Sequence, residues 1–226
     1  TPSVLEKHIT KKTKGFILNS PSNPAGMVYT EKELKQILDF IKGTGIYVIV
    51  DEIYDRLVYE KTFTSVLSLI KDDEQLRSQV IVVNGVSKTF AMTGWRIGYT
   101  ISSEGIAKAM SDVQSQTTSN PCSISQFAAE EALLGSEDDV YIMLKEFRER
   151  RDLIVRLIKG IEGVKIKSPD GSFYIFPDFS YYLGRKFNCI KIQNTLKLCE
   201  FLLTEALVGV VPGEAFGAPG FVRLSF

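Results

Sequence analysis

The chain has 226 residues, enough for one large domain or two small ones, and a compact fold of this length buries about 70% of its unfolded surface. Hydrophobic residues make up 44% and charged residues 24%, with Lys+Arg and Asp+Glu equal at 27 each. That balance leaves no electrostatic footprint for nucleic acid or an anionic membrane, and no apolar run is long enough to span a bilayer.

No targeting run opens the sequence. Cys122, Cys189 and Cys199 show neither CxxC nor metal-ligand spacing, so reduced thiols in a cytoplasmic protein and no metal site are expected. His8, the single histidine, lies in a charged segment and is expected on the solvated surface. Acid–base chemistry therefore falls to another group.

Phe16-Ile17-Leu18 reads as a short buried strand after a Lys-rich lead-in, and it runs into Asn19-Ser20-Pro21-Ser22-Asn23-Pro24. Thr30 with Glu33 forms a capping box, and Leu34, Ile37, Leu38 and Ile41 mark one face of the following helix, closed by Gly43. Ile46–Val50 is a continuous apolar strand of the parallel kind buried on both faces, with Asp51 at its end. Val80–Val83 repeats the pattern and leads through a glycine turn to Lys88. Alternating strand and helix predicts an α/β fold with a mostly parallel sheet, whose ligands bind beyond the carboxyl ends of the strands. Three strand ends deliver Asn23, Asp51 and Lys88 to that edge.

Helices are expected over 104–115 and 123–134, then a long amphipathic one from Ser136 to about Ile158, with Val140, Leu144, Phe147, Ile154 and Leu157 at helical spacing. Its cluster Arg148-Glu149-Arg150-Arg151 reads as a solvated face. After Gly160, a strand at Phe173–Phe176, a helix over Asn194–Leu207 and a strand at Val208–Val211 suggest a smaller α+β unit. The expected division is residues 1–140, then residues 141–226 including the interdomain helix.

The chemistry concentrates in Gly85-Val86-Ser87-Lys88-Thr89-Phe90-Ala91-Met92-Thr93-Gly94-Trp95-Arg96-Ile97-Gly98. An amine there can form an imine with an aldehyde cofactor, while Ser87 and Arg96 can hold that cofactor's phosphate. The stretch resembles, at every defined position, the lysine signature of the class I pyridoxal-phosphate aminotransferases. The resemblance extends to the turn at Asn23-Pro24-Ala25-Gly26, to Asp51 with Tyr54 three residues on, and to Arg96 eight residues after Lys88, all in the family's order. Ala25 stands where many members have threonine. Singly, these residues have plainer readings: Asn23 can cap a turn, Asp51 a helix, and Tyr54 can be packing.

The resemblance implies a fold-type I enzyme binding pyridoxal 5'-phosphate. It makes Lys88 the imine-forming residue and Cα-proton base, and Asp51 the partner of the ring nitrogen. Asn23 and Tyr54 become donors to the phenolic oxygen, and Ser87 and Arg96 phosphate ligands. Near the end, Gly220-Phe221-Val222-Arg223-Leu224-Ser225-Phe226 is similar to the family strand whose arginine, here Arg223, grips the substrate carboxylate beside Asn23. Implied partners are an amino acid and a 2-oxo acid, aspartate and 2-oxoglutarate by likeness to bacterial aspartate aminotransferases, in a cytoplasmic homodimer. Carbon–sulfur lyases and the sensing domains of some transcriptional regulators use related scaffolds and remain alternatives. Family members are longer, so the chain is expected to be an internal fragment of 1–140 from the large domain and 141–226 from the small one. Such a fragment alone should bind cofactor weakly, because its sheet would expose apolar surface.

Overall fold

A computed structural model describes residues 2–187 and 190–226, which leaves Cys189 outside. A short helix, α1 (Pro2–His8), precedes the first strand. Strands β1 (Gly15–Asn19), β2 (Tyr47–Asp51) and β3 (Val80–Gly85) run parallel side by side, and β4 (Gly98–Ile101) returns antiparallel along β3. The register pairs Asn19 with Asp51 and Asp51 with Val83, so the carboxyl ends of the three parallel strands finish level.

Helix α2 (Glu31–Ile41) starts at the capping box read from the sequence: Thr30 Oγ1 accepts from Glu33 N at 3.3 Å, and the Glu33 carboxylate accepts from Thr30 N at 2.8 Å. The Thr30 N–H holds the Glu33 carboxyl below its ordinary range. Leu34, Ile37, Leu38 and Ile41 are all buried. They share one core with Leu18, Val48, Val50, Val80 and Val82 of the sheet and with Val66, Ile70 and Leu76 of α3 (Val66–Ile70) and α4 (Glu74–Gln79).

The opposite sheet face departs from the expectation of strands covered on both sides. Ile17 is 71% exposed, and Tyr47 and Ile49 are exposed as well. A run of Val and Ile reports that a strand is apolar, not what covers it. The neighbouring helices repeat the pattern: α5 (Glu104–Thr117) has no buried residue, and Phe127 of α6 (Ser123–Leu134) is 73% exposed. No described helix is long and apolar enough to cross a membrane.

The chain divides into two compact units. The first runs to Pro21 and resumes at Val28–Tyr141; the second joins Ser22–Met27 to Ile142–Phe226. The chain passes between them inside α7 (Asp138–Lys159). Two readings of α7 need correction. Arg151 is 4% exposed, not solvated, and its guanidinium pairs with Asp152 at 2.7 Å, while Arg148, Glu149 and Arg150 do face solvent. Leu157 is exposed and the buried pair is Val155 and Ile158, because the buried stripe drifts around the helix along its 22 residues.

The second unit is built on a three-stranded antiparallel sheet of β5 (Tyr174–Ile175), β9 (Val222–Ser225) and β8 (Val211–Pro212), in that order. A separate two-stranded sheet pairs β6 (Lys186–Phe187) antiparallel with β7 (Ile190–Lys191). Val155, Ile158, Ile175, Ile192, Leu198 and Val222 form its core with α8 (Thr195–Glu205). The strand expected at Val208–Val211 is confined to Val211–Pro212. Residues 206–208 instead end α8: Leu207 takes a left-handed φ of 56°, and the N–H groups of Ala206 and Val208 both donate to Leu202 O.

Ser22–Met27 belongs to the second unit because Gly26 O accepts from Asp170 N at 2.8 Å and Gly171 N at 2.9 Å. Only glycine fits this clamp. Gly26 has φ +64°, and a Cβ would collide with Pro169 Cβ and lie 2.6 Å from Gly171 O.

Candidate active site

In the first unit, Asp51 ends β2 and the turn after β3 carries Ser87 and Lys88, so neighbouring parallel strands bring the carboxylate and the amine to one edge. Asp51 is fixed from both sides. Its backbone carbonyl accepts from Ser20 N and Asn19 Nδ2 at 3.1 Å each, and its Oδ1 accepts from Ile53 N at 3.1 Å. Tyr54 is buried at 4% exposure, and Leu57 N donates to its carbonyl. Lys88 is half-buried, and the turn around it is closed by Phe90 N to Val86 O and Ala91 N to Lys88 O.

A cavity of about 320 Å³ opens at this edge, lined by Asp51, Ser87 and Arg96 together with Ile53, Val83, Asn84, Ile97 and Gly98. That volume is at the small end of small-molecule sites, which run from ~300 Å³. Arg96 sits at φ +58°, and its Nη1 donates to Thr93 O at 2.9 Å. Among the described residues it pairs with no carboxylate, so its charge is available to an anion. A carboxylate, a hydroxyl and an arginine on one small cavity suit a ligand with a basic ring nitrogen and a phosphate. The donor set fits pyridoxal phosphate, and no described cluster of His, Cys, Asp or Glu has the make-up of a metal site.

Behind the cavity, Glu52 is buried and accepts from Val66 N and Ser65 Oγ at 2.8 Å each. Burial pushes its carboxyl above the ordinary range, and those two hydrogen bonds oppose the rise. Glu52 thus anchors the start of α3 to the end of β2.

Asn23 and Arg223 meet in the second unit. Arg223 Nη1 donates to Asn23 Oδ1 at 2.8 Å across 200 positions of chain. The guanidinium lies over the Tyr174 ring at 4.5 Å and the Phe216 ring at 5.1 Å, an arrangement that fixes its plane. Among the described residues no carboxylate pairs with Arg223. Sequence reading missed both rings. Phe216 lies in a short helical turn over Gly213–Phe216 and Tyr174 in the predicted strand, but only the fold puts them beside Arg223. His8 is exposed at the end of α1, where Nδ1 bonds Val4 O. Cys122 is exposed, and backbone N–H groups of Ser125 and Ile124 lower its thiol, whereas burial and Glu214 push the Cys199 thiol up to about 11.

The sequence profile of the family described as aminotransferase class I and II matches residues 2–226. The chain belongs to this family. Among curated aminotransferases, the chain is 43% identical over 225 residues to a probable aspartate/prephenate aminotransferase from Aquifex aeolicus, covering 98% of this chain and 55% of that protein. It is 42% identical over 226 residues to the aspartate aminotransferase of Bacillus sp. strain YM-2, covering 100% of this chain and 56% of that protein. Among solved structures, the aspartate aminotransferase of Rhizobium meliloti superposes with a TM-score of 0.93 at 39% identity, over 100% of this chain and 56% of that one. The chain therefore spans about half the length of the aminotransferases it matches. The fold is that of the fold-type I aminotransferases, a parallel sheet flanked by helices.

Proposed function

We propose that this chain carries the pyridoxal-phosphate site of an enzyme that transfers an amino group between aspartate and 2-oxoglutarate in two successive half-reactions. The observation that carries the reading is the cavity lined jointly by Asp51, Arg96 and Ser87, the residue before Lys88, in a chain of aminotransferase family and fold. When bound, pyridoxal phosphate supplies an electron sink for the bond broken at the amino acid's Cα.

The chain's own groups do the rest. Asp51 would keep a ring nitrogen protonated by offering it a carboxylate, and the Asn23 amide and Tyr54 hydroxyl would be the donors to the ring's phenolic oxygen. Ser87 and Arg96 would hold the phosphate, and the Lys88 amine would anchor the cofactor's aldehyde group and serve as the base that accepts the Cα proton. Arg223, with its plane set by Tyr174 and Phe216, meets the substrate α-carboxylate with parallel N–H donors while Asn23 steadies one of its nitrogens.

On this reading the first unit is the second half of a large cofactor-binding domain, and the second unit is part of a small domain. The resemblance makes the working protein a cytoplasmic homodimer. The similarity to aspartate and aspartate/prephenate aminotransferases supports aspartate as amino donor. Incubating the intact protein with pyridoxal phosphate, L-aspartate and 2-oxoglutarate should yield oxaloacetate and glutamate in equal amounts. Ammonia, thiol and pyruvate from a sulfur amino acid, with no keto-acid exchange, would assign it to the lyases. Absence of exchange with every common amino donor would overturn the reading.

A further inference from the structure

We infer that Asp55 is a positioning residue for Lys88, tying the segment that follows β2 to the turn that carries the amine; this rests on the function proposed above. Asp55 lies four residues past Asp51, and its carboxylate uses both oxygens across the gap to β3. Oδ1 accepts from Thr89 Oγ1 at 2.9 Å, and Oδ2 accepts from Asn84 Nδ2 at 3.0 Å. Thr89 is the residue after Lys88, and Asn84 stands near the end of β3, so the two donors bracket the turn from Gly85 to Lys88.

The ties continue on both sides. Asn84 Oδ1 accepts from Gly85 N at 2.7 Å, which turns the Asn84 side chain into a link between Asp55 and the first residue of the lysine turn. Asp55 N donates to Glu52 O, and Glu52 N donates to Val83 O, both at 2.9 Å. Thr89 is 4% exposed and Asn84 9%, so their donors lie away from bulk water and losing the acceptor would leave them unsatisfied. A carboxylate suits the place because one group must accept two hydrogen bonds from different side chains at once. Without it, the lysine turn would lose its side-chain ties to the segment after β2, and the distance between Asp51 and the Lys88 amine would be less closely held.

Asp55 itself does not line the cavity, so its effect on cofactor capture would pass through Thr89 and Asn84. The test is the rate at which borohydride traps added pyridoxal phosphate on Lys88 of the intact protein, read by peptide mass mapping. Adducts on all other lysines serve as the internal reference for the amounts of protein and reagent. Asp55→Ala and Thr89→Val should each lower the Lys88 share by about tenfold to a hundredfold, as misplacements of ~1 Å at a reacting group do. Thr89→Ser, which keeps the hydroxyl, should restore it. The double variant should be no worse than Asp55→Ala alone, because both changes cut the same bond.

Thermal melts identify any variant that fails to fold; if Asp55→Ala is one, the Thr89→Val and Thr89→Ser pair decides. Trapping by folded Thr89→Val within about twofold of wild type, or losses that multiply in the double variant, would overturn the role of Asp55 while leaving the function standing. No Lys88 adduct in the wild-type protein would instead remove the functional reading, and this inference with it.

Discussion

Lys88→Ala in the intact protein should reduce amino-group transfer by about 10⁴-fold, the upper end of what one positioned acid–base group contributes, while thermal stability stays close to wild type. Two functions disappear with the one amine. Nothing remains to hold the cofactor's aldehyde carbon covalently, and nothing at that place takes the Cα proton. Stability should hardly change because the turn is set by Val86, which is fully buried, by backbone bonds at Phe90 and Ala91, and by the Thr89 side chain. An added small primary amine should recover part of the lost activity, since it can replace the missing base without the side chain. Steady-state rates with L-aspartate and 2-oxoglutarate measure this directly. Turnover within tenfold of wild type would show that Lys88 is an ordinary turn residue.

The second large effect is expected at Arg223. Arg223→Leu should lower kcat/KM for every amino acid substrate by about 10²- to 10³-fold, since the substrate carboxylate would lose a charged, two-pronged partner in a partly desolvated place. A lost partner of this kind costs roughly 2–5 kcal/mol. The stacked rings make Arg223→Lys informative as well. Lysine keeps the charge but not the planar fork that Tyr174 and Phe216 orient, so its loss should fall between leucine and wild type. Arg223 has no carboxylate partner among the described residues, so no described ion pair is broken and the fold should tolerate both changes. A kcat/KM unchanged in Arg223→Leu would make this arginine structural.

How legible these features are in the sequence depends on how local their cause is. Helix α2 can be read to the residue, because the Thr30–Glu33 box and the spacing of Leu34, Ile37, Leu38 and Ile41 are both short-range signals. Strands β1 to β3 follow from their apolar runs. Strand β4 escapes because Gly98-Tyr99-Thr100-Ile101 is short and mostly exposed, and only its antiparallel pairing to β3 makes it a strand. The exposed sheet face escapes for the opposite reason: Ile17 and Ile49 are apolar enough to suggest burial, yet both are exposed.

The same distinction runs through the candidate site. Lys88, Ser87 and Arg96 stand in one continuous stretch, and Asp51 and Tyr54 in another, so their order along the chain is informative without any fold. The contact between Asn23 and Arg223 is not visible that way, since it depends on the Gly26 carbonyl meeting the Asp170–Gly171 turn. Asp55 shows the limit most plainly. Four residues from Asp51 it looks like a solvated charge, and its two partners, Asn84 and Thr89, become neighbours only when β2 and β3 pair. Arg151 is similar, a buried arginine within a cluster whose other members face water.

The most direct measurement is to add pyridoxal phosphate to the intact protein, reduce with borohydride and map the modified peptides by mass. The account predicts one dominant reduced adduct, on Lys88, that is prevented when Lys88 is replaced. Adducts spread over the surface lysines with no preference for Lys88 would contradict it.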